Sequence, residues 1–293
     1  MNVLKLYGKK YFFCFLLVLY ATNSQSQHLF ATIFAGESNY SGDLQEKSFT
    51  LNQAHPAIGA GLMYEVNDKM LIRADFTYGN LSAQDKYGTK NIKRNLSFYS
   101  TLSEYSIGFE YTFLNLYLYK FSPYIFTGVS LFDFNPYTKN ENGGIVFLAE
   151  LNTEGEGFIE GRKEYKLRQV SIPYGGGILW AINDNKRLGF VVGLRKTFTD
   201  YIDDVSTTYV DETTLALARG QKVADIAYRG DELPNGAPYP AGGSVRGNPK
   251  SKDSYYFVGL TFRVRLLPKG KARRYMYDLE RTSKPSLRCP KVY

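Results

Sequence analysis

Met70-Leu71-Ile72-Arg73-Ala74-Asp75-Phe76-Thr77-Tyr78-Gly79 and Glu104-Tyr105-Ser106-Ile107-Gly108-Phe109-Glu110-Tyr111-Thr112-Phe113-Leu114 decide the fold. In the first, Ile72, Ala74, Phe76 and Tyr78 alternate with Arg73, Asp75, Thr77 and Gly79. In the second, Tyr105, Ile107, Phe109, Tyr111 and Phe113 alternate with Ser106, Gly108, Glu110 and Thr112. Successive side chains of a strand point to opposite faces. Each segment therefore presents one greasy face and one face that is small, polar or charged. A membrane barrel needs this pattern, apolar toward lipid and polar or small toward the lumen.

Six further segments extend the rule: 28–35, 56–65, 122–133, 170–181, 188–198 and 255–267. The segment at 188–198 sets Leu188, Phe190, Val192 and Leu194 against Gly189, Gly193, Arg195 and Thr197. The one at 255–267 sets Tyr256, Val258, Leu260, Phe262, Val264 and Leu266 against Gly259, Thr261, Arg263 and Arg265. Recurrent small residues suit an eight-strand barrel, whose interior is just wide enough for side chains to fill. Arg73, Arg195, Arg263 and Arg265 facing Asp75 and Glu110 are expected to form an ionic network in the lumen rather than a pore.

The connections test this independently. Those at 66–69, 115–121 and 182–187 are short, whereas 36–55, 80–103, 134–169 and 199–254 are long. Strict alternation is expected when one end carries periplasmic turns and the other extracellular loops. The expected fold class is all-β, an eight-stranded antiparallel transmembrane β-barrel with both termini periplasmic. The last long loop is rich in Gly and Pro, and is expected either to fold over the mouth or to stay mobile. The stretches 36–43 and 246–253 read as turns, with Asp253 free to pair with a basic residue at the rim.

Residues 1–27 read as a signal peptide. Lys5, Lys9 and Lys10 precede a short apolar core at 11–21, too short to span a bilayer as a helix, and a polar stretch follows. Residues 28–267 form the expected barrel in an outer membrane, and 268–293 a basic periplasmic tail. Of the formal net charge of +8, the signal and the tail carry all the excess, and the barrel is nearly neutral. This argues against a nucleic-acid-binding domain, which needs a basic stripe on its folded part. Candidate partner-binding residues of the tail are Arg273, Arg274, Tyr275, Tyr277, Arg288 and Cys289. Cys289 is the sole cysteine left once the signal is removed, and the periplasm is oxidising. It is expected to form an intermolecular disulfide or to remain a free thiol.

Signals for chemistry are thin. Of the histidines, His28 lies beside the expected cleavage site and His55 precedes the second strand, with no orienting carboxylate in view. Asp200, Asp203, Asp204 and Asp211 cluster after the seventh strand. A solvated loop is the expected reading, with a calcium site as the alternative. No cofactor and no enzymatic activity are expected.

Three stretches carry a resemblance: Gly36, Asn39, Tyr40, Gly42 and Asp43; residues 199–206, Thr-Asp-Tyr-Ile-Asp-Asp-Val-Ser; and residues 246–250, Arg-Gly-Asn-Pro-Lys. With the Gln that ends the signal and the terminal Cys289-Pro290, they make the chain resemble the PorG-type outer-membrane proteins of Bacteroidota. The resemblance implies a component of the type IX secretion system that anchors a periplasmic ring of PorK-like and PorN-like proteins. The alternative is a small OmpX- or OmpA-like barrel for adhesion, envelope integrity or minor solute passage.

Overall fold

The computed structural model describes residues 28–45, 50, 52–140 and 142–266. Eight long strands are β1 (His28–Ser41), β2 (His55–Glu65), β3 (Met70–Gln84), β4 (Ser97–Thr112), β5 (Phe121–Lys139), β7 (Arg168–Asn183), β8 (Lys186–Thr197) and β9 (Ser254–Arg265). A short β6 (Ile145–Phe147) pairs only with the far end of β5. Every pairing is antiparallel, β1 pairs with β9, and β4 pairs with β5. The sheet therefore closes on itself. The fold is an eight-stranded antiparallel barrel with no free edge.

The alternation seen in the sequence sets the two surfaces. Ile58, Tyr105, Ile107, Phe109, Ile125, Val129, Ile178 and Leu260 are all exposed on the outside. Most of their cross-strand neighbours are apolar too, so the exposure is a continuous belt, far larger than an aqueous surface tolerates. On β8, Lys186 and Lys196 bracket four outward apolar residues, Leu188, Phe190, Val192 and Leu194. Ten residues at ~3.4 Å, tilted by about 40°, give a height of roughly 25 Å, the apolar band of a membrane barrel.

Inside, small residues let the wall close tightly. Gly108 and Gly128 face each other, and a Cβ on either would lie 2.3 Å from the neighbouring strand's carbonyl oxygen. The pairing Phe30↔Arg265 puts the start of β1 and the end of β9 at the same rim. The short connections lie at that rim and the long ones at the other.

The sequence reading differs from the structure mainly at the mouth. Strands run further into the long connections than the periodicity shows. Residues 36–41, read as a turn, continue β1 and pair with β9 through Ser41↔Ser254. The membrane alternation fades there because both faces become covered by protein. The last connection is ordered and carries two helices, α1 (Glu212–Arg219) and α2 (Gln221–Ala227). The expected signal, the tail and Cys289 lie outside the described residues.

Candidate functional site

Two features position this molecule's chemistry: a charged ladder in the lumen and a folded cap over the mouth opposite the rim where β1 begins and β9 ends.

The ladder uses inward positions of five strands. Arg73 bonds Asp75 at 2.7 Å and Glu110 at 3.3 Å, and Arg263 grips Glu110 at 2.5 and 3.1 Å. Nearer the mouth, Arg195 pairs with Glu104 at 2.8 Å rather than with Asp75 or Glu110, and Tyr255 Oη donates to the same carboxylate at 2.7 Å. Nearer the rim where β1 begins, Arg187 approaches Glu65 at 3.5 Å, while Arg265 donates to Tyr117 Oη, which donates to Glu65. The guanidinium groups also lie over rings, Arg73 over Phe126 and Arg195 over Phe257, each 4.4 Å from the centroid. Charges at this depth persist only when paired and hydrogen-bonded. A void of about 40 Å³ beside Arg73 and Arg195 has room for roughly three waters, not for a stream of solute.

Sequence reasoning left out Glu104, Glu65, Arg187 and Tyr117. Glu104 shares the parity of Glu110 and Arg187 that of Arg195, so the signal was present. These residues sit at the ends of the alternating segments, where the alternation merges into the connections and gives no sign of which charges meet.

At the mouth, Ile202 and Val205 from the last long connection pack among Tyr40, Phe98, Leu102 and Phe132, forming an apolar cork. Above them lies a polar knot. Tyr40 Oη sits 2.6 Å from Asp203 Oδ2 and 2.7 Å from Asp253 Oδ1. One phenol hydrogen serves one of these contacts, so the other needs a carboxyl proton, and the pair holds one between them. Burial, the largest cause, pushes both acids well above the usual carboxylate range. Glu154 accepts from the backbone N–H of Ser206 and Thr207 and from Thr207 Oγ1, and pairs with Arg246 at 3.0 Å. Arg246 also donates to the Asp204 carbonyl at 2.5 Å, while Thr153 and Tyr165 donate to the Asp204 carboxylate. Arg94 holds Asp85 through two bonds and reaches the carbonyl oxygens of Asp43 and Arg246. Burial raises Asp204 and Asp200 to about 6 and Glu156 to about 7.

Three sequence expectations are corrected here. Asp200, Asp203 and Asp204 are not in a solvated loop: each is at most 2% exposed. Asp211 stands apart and caps α1 through the Thr214 N–H. Asp253 pairs with no base among the described residues; the Tyr40 hydroxyl and the Ile202 N–H occupy its oxygens. Among the described residues no group of His, Cys, Asp or Glu is arranged to hold a metal. His55 is half-buried, with Nε2 2.7 Å from Ser82 Oγ, yet no carboxylate among the described residues orients it, as a nucleophile's base requires.

The three stretches singled out in the sequence thus converge: Tyr40 and Asp43 from the first, Asp200 to Ser206 from the second, Arg246 to Asn248 from the third. Asn248 N–H closes the circle by donating to Asp43 Oδ2 at 2.7 Å. Over the knot lies an open cleft of about 370 Å³ lined by Lys90, Lys93, Tyr209 and Tyr228.

A family model described as a domain of unknown function, DUF6089, matches residues 9–221. The chain belongs to this family. The DUF6089 match takes in β1 to β8 and α1; Arg246 and the closing strand β9 lie beyond it. No curated protein matches. Among solved structures the chain is similar to Neisserial surface protein A (10% identity, TM-score 0.38, covering 82% of this chain and 99% of that one). It is also similar to Ail, the attachment invasion locus protein of Yersinia pestis (11%, 0.37, 82% and 99%), and to the outer-membrane protein OprG of Pseudomonas aeruginosa (8%, 0.35, 81% and 96%). The barrel assignment rests on this chain's own strand register.

Proposed function

We propose that this protein is a non-conducting, non-enzymatic outer-membrane barrel that anchors the type IX protein secretion machinery, contacting its periplasmic ring. The observation that carries the non-conducting part is the sealed lumen: paired charges fill it from Glu65 to Glu104 and a packed cork closes its mouth. A barrel that passes nothing acts through its surfaces and termini. The anchoring role is supported by the resemblance to PorG-type proteins, whose three stretches meet in one knot here, and by the basic composition of residues 268–293.

In this reading the tail faces the periplasm, and Arg273, Arg274, Tyr275, Tyr277, Arg288 and Cys289 grip ring proteins of the PorK and PorN type. The test is recovery of those proteins with the chain from gently solubilised outer membranes. The full chain should retain them, and a chain lacking 268–293 should lose them; equal recovery would contradict the anchor. If Cys289 forms the link covalently, non-reducing gels show a shifted band that vanishes in Cys289→Ser.

A second reading is favoured by the cleft above the knot: a small surface barrel that works by recognition at its cap, of the OmpX or OmpA kind. Normal export of secreted cargo after deletion of the gene would favour it over anchoring.

A further inference from the structure

On the outside of the barrel, at the capped rim, β8 and β9 end beneath the turn at 248–253. Between them lies a cleft of about 540 Å³ whose lining includes Tyr174, Leu194, Tyr256, Lys196, Lys250 and Lys252. The register fixes its geometry. Tyr174 pairs with Leu194 and Leu194 with Tyr256, making one apolar row across β7, β8 and β9. Two residues higher, Lys196 stands between Ile172 and Ser254, on the lipid-facing side of β8. It is the upper of the two lysines that bracket the apolar band.

The turn above brings two more ammonium groups. Ser251 N–H donates to the Asn248 carbonyl at 2.9 Å, and Asp253 N–H to the Thr199 carbonyl at 3.1 Å, so the turn is tied to the mouth. Lys252 Nζ donates to the Pro249 carbonyl at 2.8 Å. None of Lys196, Lys250 and Lys252 forms a salt bridge among the described residues. Asp253 also lines the cleft, but its oxygens are turned inward to Tyr40 and Ile202. Glu37, outward on β1, pairs with Val258, four residues below Ser254.

We propose that this cleft binds the phosphate headgroup of a membrane lipid in the leaflet at the capped end, with Lys196, Lys250 and Lys252 on the phosphate and the lipid's chains lying along Leu194, Tyr174 and the apolar belt below. This rests on the barrel spanning a membrane. Three cations directly over an acyl-facing wall match a molecule with phosphate above and hydrocarbon below. A free anion would leave the apolar row unused. The site also gives the Asn-Pro-Lys stretch a role that the knot alone does not.

The test uses the full mature chain folded in detergent, titrated with bis-phosphorylated lipid A or with phosphatidylcholine and read by native mass spectrometry. Wild type should bind lipid A in preference to phosphatidylcholine. A basic residue at a charged membrane surface contributes about fivefold. Lys196→Gln alone should therefore weaken lipid A binding roughly fivefold, and the triple variant K196Q/K250Q/K252Q about a hundredfold. Lys186→Gln, at the opposite end of the same face, should leave it unchanged. Equal binding by wild type and the variants, or displacement of lipid A by millimolar inorganic phosphate, overturns the proposal. A chain that does not insert into bilayers refutes the membrane reading itself, whereas an inserted barrel with lysine-independent binding refutes only this site.

Discussion

Single residues in this protein matter most where one buried charge serves two counter-charges. Arg246 is the case at the cap, since it pairs with the buried Glu154 and lies 3.8 Å from the Asp204 carboxylate. Removing one partner of a buried pair costs about 3–5 kcal/mol, because the other is left uncompensated. Arg246→Ala should therefore loosen the cap while the barrel stays folded. Limited proteolysis should show cleavage within 199–253, with the barrel still resistant to unfolding in cold detergent. Glu110 is the counterpart in the lumen, shared by Arg73 and Arg263. Glu110→Ala leaves two guanidinium groups facing each other and should lower barrel stability by a similar ~3–5 kcal/mol, read as a lower unfolding midpoint in urea. A midpoint equal to wild type would show that the ladder is not what holds the lumen.

At the scale of elements, the cap is a unit with its own pH dependence. Its buried acids bind protons more tightly folded than unfolded: Asp200 and Asp204 at about 6, Glu156 at about 7, with Asp203 and Asp253 raised in the same direction by burial. A raised folded-state pKa means that the folded cap holds more protons, so its stability falls as pH rises from about 4, the unfolded carboxylate range, through the folded values. Arg94 and Arg246 stay charged throughout and do not reverse the sign. Amide exchange in 199–253 should be at least about tenfold faster at pH 8 than at pH 5 after correction for intrinsic rates; slower exchange would mean that the acids are stabilised as anions. The same elements show what the sequence could reveal. The lipid-facing alternation of β3 and β4 was legible because one solvent, lipid, touches a whole face. The cap was not, because Ile202, Val205 and the neighbouring acids are buried by partners from three other connections, and no short-range period records that. Arg195 shows the same limit within a strand, since its inward direction was readable but its partner Glu104, on a strand far away in the sequence, was not.

As a whole, the molecule is a belt, a filled lumen and a lid. In planar bilayers the purified chain should give no unitary conductance, and deletion of 201–251 should not create any, because the charged ladder below the cork remains. Steady single-channel steps from the wild-type barrel would contradict the sealed lumen. Everything else depends on the belt facing lipid. The most direct measurement is the accessibility of spin labels placed singly at 105–111 of β4, in a Cys289→Ser background reconstituted into bilayers. Labels at Tyr105, Ile107, Phe109 and Tyr111 should collide with dissolved oxygen and be shielded from a water-soluble nickel reagent, while a label at the inward Ser106 should be shielded from both. Nickel reaching the odd-numbered positions, or the loss of the two-residue period, would contradict the account.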